Sequence, residues 1–206
     1  MHDAKTHDYF DNFTPYYNPK RFNFALDYLN NVANEKQILL DIGCGDGATL
    51  YLIREKTPLK KIAGLDISRS YLEKAKELTG CDTIHGSILN EKELQNHWGR
   101  FDYCVLGSVL HHLIGNNRKK SFIYAQTALQ NAAQLLKPGG NLIVFEPTHG
   151  PSIVMALIFW IKKIVGGFVD RRVELSARWA NIGQPVVSYY TPPTLFIDIS
   201  RIENNQ

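Results

Sequence analysis

The sequence is poor in sulfur, has no long apolar run and carries no dense block of charge. Its three cysteines, Cys44, Cys81 and Cys104, are odd in number and show neither a CxxC motif nor a Cys/His spacing that would hold zinc. A disulfide framework and a cysteine-based metal centre are therefore excluded, no metal site is expected, and each cysteine reads as a small buried residue in a reducing compartment. The longest apolar stretch, Ile153 to Ile161, has nine residues, whereas a membrane-spanning helix needs about twenty. Lysine and arginine number 23 against 20 acidic residues, a formal net charge of +3, and this balance argues against a nucleic-acid partner. Residues 1–19 lack the charged-then-apolar layout of a signal peptide, so a cytoplasmic protein is expected. Internal repeats and low-complexity tracts are absent too. What is left is ordinary globular composition, 44% hydrophobic and 21% charged over 206 residues, enough for one sizeable core.

Within that composition, short apolar runs alternate with helical patterns. Phe22, Leu26, Leu29 and Val32 fall at helical spacing, and "QILLDI" is a short run of the kind buried on both faces of a sheet. "ATLYLIREK" returns to helical spacing and "KKIAGLDI" is a second buried run. Ser70 with Glu73 suggests a capping box for "YLEKAKELT", with Gly80 to end that helix. "CDTIHG" is a third strand, Asn90 with Glu93 resembles another cap, and "FDYCVLGSV" is a fourth strand. A long helix over "KKSFIYAQTALQNAAQLLKPGG" is stopped by its own "KPGG", and "NLIVFE" makes a fifth strand. The rhythm predicts βαβ units: an α/β, doubly wound, mainly parallel sheet. In such sheets ligands sit beyond the carboxyl ends of the strands, where this chain places its polar and bare residues.

"LLDIGCGDG", residues 39–47, puts glycine at alternate positions just where the first strand ends. Glycine there costs conformational entropy, so the backbone must need either positive φ or close approach to a ligand. Gly43, Gly45 and Ala48 satisfy a dinucleotide fingerprint, with Asp66 at a suitable distance for a ribose. Against that reading stand Asp41, ahead of the first glycine, and the tripeptide Gly43-Cys44-Gly45.

Taken together, "LLDIGCGDG", "GLDIS", "FDYCVLGSVLHHL" and "LLKPGGNLIVFEP" resemble the successive motifs of class I S-adenosylmethionine-dependent methyltransferases, over roughly residues 10 to 150. The resemblance implies a Rossmann-like methyltransferase fold with S-adenosyl-L-methionine as cofactor. Gly43 and Gly45 would let it lie against bare backbone beside Cys44, with the Asp41 carboxylate near its cationic end. Asp66 would accept hydrogen bonds from the ribose hydroxyls, and Ile67 would pack on the adenine. Ser87 stands where the family often has an acid for the adenine amino group, so Ser87 and Ile88 are the expected adenine neighbours. Gly107 and Ser108 would run beside the methionine moiety. His111 and His112 read first as residues that position or shelve the cofactor, and second as a general base. Glu146 and His149 share the same rim as candidate substrate contacts.

One segment departs from the alternation. Residues 149–185 are expected to form a helical lid or insertion on a single domain spanning 1–206. Its apolar stretch, 153–168, would pack as core, select an apolar acceptor or rest on a bilayer surface. The resembling fold ends in a strand hairpin, and here only "ENNQ" follows a last helix begun by Thr191 and Pro192, so the hairpin is expected to be missing or truncated. The resulting expectation is a methyltransferase acting on a small acceptor, without nucleic acid and of open oligomeric state. The second reading is a non-catalytic S-adenosylmethionine-binding module acting as a partner or regulator.

Overall fold

Short apolar runs followed by helices become parallel strands, because each helix carries the chain back to the edge from which the previous strand began. The computed structural model of the protein describes residues 22–147 and, further on, residues 153, 154, 156, 157, 159–161 and 164. Its elements are α1 (Asn23–Val32), β1 (Ile38–Ile42), α2 (Ala48–Lys56), β2 (Lys61–Asp66), α3 (Arg69–Thr79), β3 (Asp82–His85), α4 (Glu91–Leu94), β4 (Phe101–Gly107), α5 (Arg118–Leu135) and β5 (Leu136–Phe145). Single 3-10 turns cover Gln95–His97 and Leu110–His112. The sheet order is β3-β2-β1-β4-β5, the doubly wound order in which the chain starts at the centre and reverses direction across the sheet.

The pairs β1–β2, β1–β4 and β2–β3 are parallel. Ahead of β4, Gly99 N–H donates to Gln134 O and Arg100 N–H to Leu135 O, which ties the end of α5 to the chain entering β4. Register decides where the site lies. Asp41 stands opposite Gly64 and Val105, and Asp66 opposite His85, so β1 to β4 end together along one rim. Their interiors are buried, Leu39, Leu40, Leu65, Cys104 and Leu106 among them.

The chain divides into two compact units. The first comprises residues 1–107 and 131–144 and contains β1 to β4 and most of β5. The second comprises residues 108–130 and 145–206; its described part holds the turn Leu110–His112, the start of α5 and helical residues between 153 and 164. In that last stretch Phe159 is buried and meets Trp160 edge-on at 5.6 Å, while Ile153, Leu157 and Ile164 are exposed. No helix among the described residues is long and apolar enough to cross a membrane. His149, nearly all of 149–185, the last helix and the question of the terminal hairpin lie outside the described residues.

Three local expectations are corrected. The helix α3 is capped by Ser68, not Ser70: the Ser68 hydroxyl accepts from Tyr71 N–H, because the extended backbone at Ser68 (φ −93°, ψ 117°) leaves Ser70 already inside the helix. Val32 is exposed although Phe22, Leu26 and Leu29 of the same pattern are buried; it is the last residue of α1 and overhangs the end of its contact face. The "KPGG" sequence does not separate helix from strand, since β5 already begins at Leu136, held there by Lys137 Nζ on Asp102 Oδ2 at 2.8 Å. Gly80 does end α3, in the left-handed conformation.

Cys44 explains a glycine inside β2. A Cβ on Gly64 would sit 2.6 Å from the Cys44 sulfur and 3.2 Å from Leu50 Cδ1, so the thiol fills the notch that the missing side chain leaves. Gly64→Ala should therefore destabilise the protein by about 1–3 kcal/mol. Adding Cys44→Ala should recover part of that loss, because it removes the clashing atom. Denaturant melts of the two single variants and the double variant check this. Strict additivity would mean that sulfur and glycine do not meet.

Candidate active site

In the first unit, the loop after β1 is bent back on β2 by backbone bonds. Gly43 N–H and Cys44 N–H both donate to Leu65 O, at 2.7 and 3.2 Å. Gly43, Gly45 and Gly47 all have positive φ. At Gly45 (φ +53°) a Cβ would meet nothing within 4 Å, so the glycine is required by its backbone conformation, and the space beside it is open. That open face against bare backbone is what a cofactor without a pyrophosphate needs. Cys44 contributes backbone only: its thiol turns inward over Gly64, and burial raises its pKa far above the ordinary thiol value, with Asp41 and Asp66 adding to the rise.

Asp66 is the brace of this loop. Its Oδ2 accepts from Gly45 N–H and its Oδ1 from Ser68 N–H, each at 2.9 Å. One carboxylate thus fixes both the glycine turn and the start of α3. Ile67 follows, and its carbonyl lies 3.1 Å from His85 Nε2. Asp41 behaves differently from the expectation of a charged group near the cofactor's cation. It is buried, and burial first, then the neighbouring Asp66, push its carboxyl up to about 8. At neutral pH it is mainly protonated, and a cation brought close would return it to the ionised form.

At the end of β3, the Ser87 hydroxyl accepts from Leu89 N–H at 3.2 Å. Ile88 is buried and its carbonyl accepts from the Asn131 amide at 2.7 Å. Sequence reasoning missed Glu93 here. Instead of closing a capping box with Asn90, whose side chain makes no cap bond, it accepts Ser87 N–H on Oε2 at 2.9 Å. Gly107 closes β4 and ends the first unit.

The second unit brings Ser108, His111, His112 and Glu146 together. Ser108 holds the left-handed conformation (φ +61°) while its N–H donates to Phe145 O at 2.9 Å; a non-glycine residue in that region is strained and held by its surroundings. Glu146 is nearly inaccessible. Its Oε1 accepts from Leu110 N–H and its Oε2 lies on His111 Nδ1, both at 2.6 Å. With the Nδ1 proton directed at a carboxylate, the neutral ring of His111 carries its lone pair on Nε2. The His112 ring lies 4.0 Å from that of His111, centroid to centroid. Burial, and secondarily His111, hold His112 well below its ordinary pKa, so it is neutral at pH 7. The two adjacent histidines thus have different chemistry.

Residues 40–142, half of the chain, match a family model described as a methyltransferase domain, and the chain belongs to that family, whose cofactor is S-adenosylmethionine. The ribosomal RNA small subunit methyltransferase C of Cronobacter sakazakii is 25% identical over 104 residues, 50% of this chain and 29% of that protein. The O-methyltransferase resE of Aspergillus sclerotiorum is 31% identical over 114 residues, 53% of this chain and 39% of that protein. The chain thus spans well under half the length of these relatives. Among solved structures, the complex between the Haloferax volcanii Trm112 methyltransferase activator and a putative methyltransferase is similar at 15% identity with a TM-score of 0.58, covering 92% of this chain and 67% of that one; at that identity the likeness concerns the fold.

These relatives overturn the expectation that nucleic acid is no partner. A relative named for ribosomal RNA methylation removes the ground for excluding RNA. Net charge is a sum over the whole chain and cannot report on one face of it.

The raised Asp41 carboxyl predicts a pH dependence of stability. The folded state retains a proton that the unfolded chain gives up near pH 4, so stability falls as pH rises from about 4 to the folded value of about 8 and is flat above it. Asp41→Asn should flatten that decline and stabilise the protein at pH 8 by roughly 1–3 kcal/mol. Urea titrations at pH 5 and pH 8 check this; an equal pH slope in variant and wild type would contradict the burial of an ionisable group there.

Proposed function

We propose that the protein transfers the methyl group of S-adenosylmethionine to an oxygen acceptor whose proton is taken by His111, with Glu146 holding the imidazole. The observation that carries this reading is the His111–Glu146 contact at 2.6 Å, in which both oxygens of a buried carboxylate are engaged. A buried carboxylate so held fixes the tautomer and stabilises the imidazolium that forms when Nε2 accepts a proton.

When bound, S-adenosylmethionine supplies an electrophilic methyl group on a sulfonium and leaves as a neutral thioether. The protein does the rest. The loop Gly43–Gly47 and Asp66 fix the nucleoside end, and Asp41 answers the cofactor's positive charge by ionising. His111 Nε2 would take the acceptor's proton and so leave the oxygen its electron pair for attack on the methyl group. His112, neutral and buried, braces the ring of His111.

An oxygen acceptor agrees with the relative named an O-methyltransferase, and the ribosomal RNA relative supplies a second acceptor arm for the assay. Formation of S-adenosylhomocysteine should be measured with hydroxyl-bearing small molecules and with small-subunit ribosomal RNA. His111→Ala should lower kcat by about 10²–10³-fold and change S-adenosylhomocysteine affinity by less than about threefold. Glu146→Gln should slow turnover, because the imidazolium that forms on proton transfer loses its anionic partner. Affinity and turnover falling in parallel in His111→Ala would reduce His111 to a positioning residue.

A further inference from the structure

We propose that the exposed start of α5 is the surface on which the protein holds the phosphate backbone of a single-stranded RNA acceptor. No acidic residue stands between Asp102 and Glu146, a stretch that carries Arg118, Lys119 and Lys120 in succession. Among the described residues of the second unit Glu146 is the only acid, and it is enclosed and engaged with Leu110 and His111. The described surface of that unit is therefore of one sign, which the chain's net charge of +3 conceals. Lys119 and Lys120 are exposed, as are Asn116 and Asn117 before them and Ile123 after them. Cations in the first turn of a helix oppose its dipole, so helix stability does not account for them.

The side chains, and not the helix end, carry this surface. Asn117 caps α5: its Oδ1 accepts Lys120 N–H at 2.9 Å and its carbonyl accepts Ser121 N–H at 3.0 Å. The buried Ser121 hydroxyl accepts Gly115 N–H at 3.0 Å and donates to Asn117 O at 3.1 Å, which pins the loop ahead of the helix. The stem of Lys120 lies 2.5 Å from where a Cβ on Gly115 would stand, so this glycine leaves room for it. Its Nζ rests 5.2 Å from the centre of the Tyr124 ring. Successive helical residues point about 100° apart, so three cations in a row fan round the helix. They cannot converge on one phosphate, nor all face a flat bilayer. A flexible chain with a charge at every link can meet them in turn. Arg118 follows His112 by six residues, so the cations begin within about 22 Å of the histidine turn. RNA, unlike DNA, carries a hydroxyl on every sugar; the identity of the acceptor, unlike that of the surface, rests on the proton transfer proposed for His111.

The test is fluorescence anisotropy of a labelled single-stranded RNA of mixed sequence with the full chain, repeated over a range of salt. Wild-type affinity should fall steeply as salt rises. Lys119→Ala with Lys120→Ala should lose about tenfold in affinity at about 0.1 M salt and flatten the salt slope by about one to two units. Lys119→Arg with Lys120→Arg keeps both charges and should bind as wild type does. Affinity for S-adenosylhomocysteine should be unchanged in both variants, and their melting temperatures should be at or above the wild-type value, which separates loss of the surface from loss of the fold. RNA affinity and salt slope unchanged in the alanine variant, or no RNA binding by wild type, would overturn the inference. So would binding of anionic phospholipid vesicles through the same lysines in place of RNA. RNA bound in the expected way yet never methylated would support the surface and contradict the acceptor chemistry at His111, so the two failures are told apart.

Discussion

The ends of β1 and β2 and the start of α3 are tied together by one carboxylate. Asp66 reaches from the end of β2 to Gly45 N–H in the loop after β1 and to Ser68 N–H at the start of α3. It adds a side-chain anchor at Gly45 to the backbone bonds from Gly43 and Cys44 to Leu65 O, in a loop with three glycines at positive φ. The parallel register places Asp66 where it can do this, since Ile42 pairs with Leu65 and the two strands end side by side. A residue expected to bind ribose is therefore also the residue that shapes the loop.

The second unit has a comparable centre. Glu146 gathers Leu110 N–H and His111 Nδ1 onto its two oxygens and is almost wholly enclosed. In both units a carboxylate at the end of a strand holds the turn after a different strand through a backbone N–H: Asp66, after β2, takes Gly45 N–H in the loop after β1, and Glu146, after β5, takes Leu110 N–H in the turn after β4. They differ in what else they engage: Asp66 braces a loop of bare backbone, Glu146 a titratable ring.

Much of the fold was legible in the sequence because strand and helix periods are local. The limits of α2 agree with its helical pattern, and the alternation of strands and helices, with the resemblance to methyltransferases, pointed to the doubly wound parallel sheet that the fold and family membership bear out. What escaped was set by distant partners. Ser68 and Ser70 are equally good caps on paper, and the choice falls to Ser68, whose N–H is caught by Asp66. Glu93 looks like the partner of Asn90 until the turn after β3 offers it Ser87 N–H. Glu146 and His111 lie 35 residues apart in the chain, and only folding shows that they form a pair. The exclusion of nucleic acid failed for a different reason: total charge carries no positional information.

The central claim is that the rim formed by β1, β2 and β3 binds S-adenosylmethionine. It is tested most directly by calorimetric titration of the full chain with S-adenosylhomocysteine and, side by side, with NAD, repeated on Asp66→Ala. Saturable one-to-one binding of S-adenosylhomocysteine, little or none of NAD, and a loss of about tenfold or more in the folded variant are expected. NAD binding as tightly as S-adenosylhomocysteine, or an Asp66→Ala variant with unchanged affinity, would contradict it.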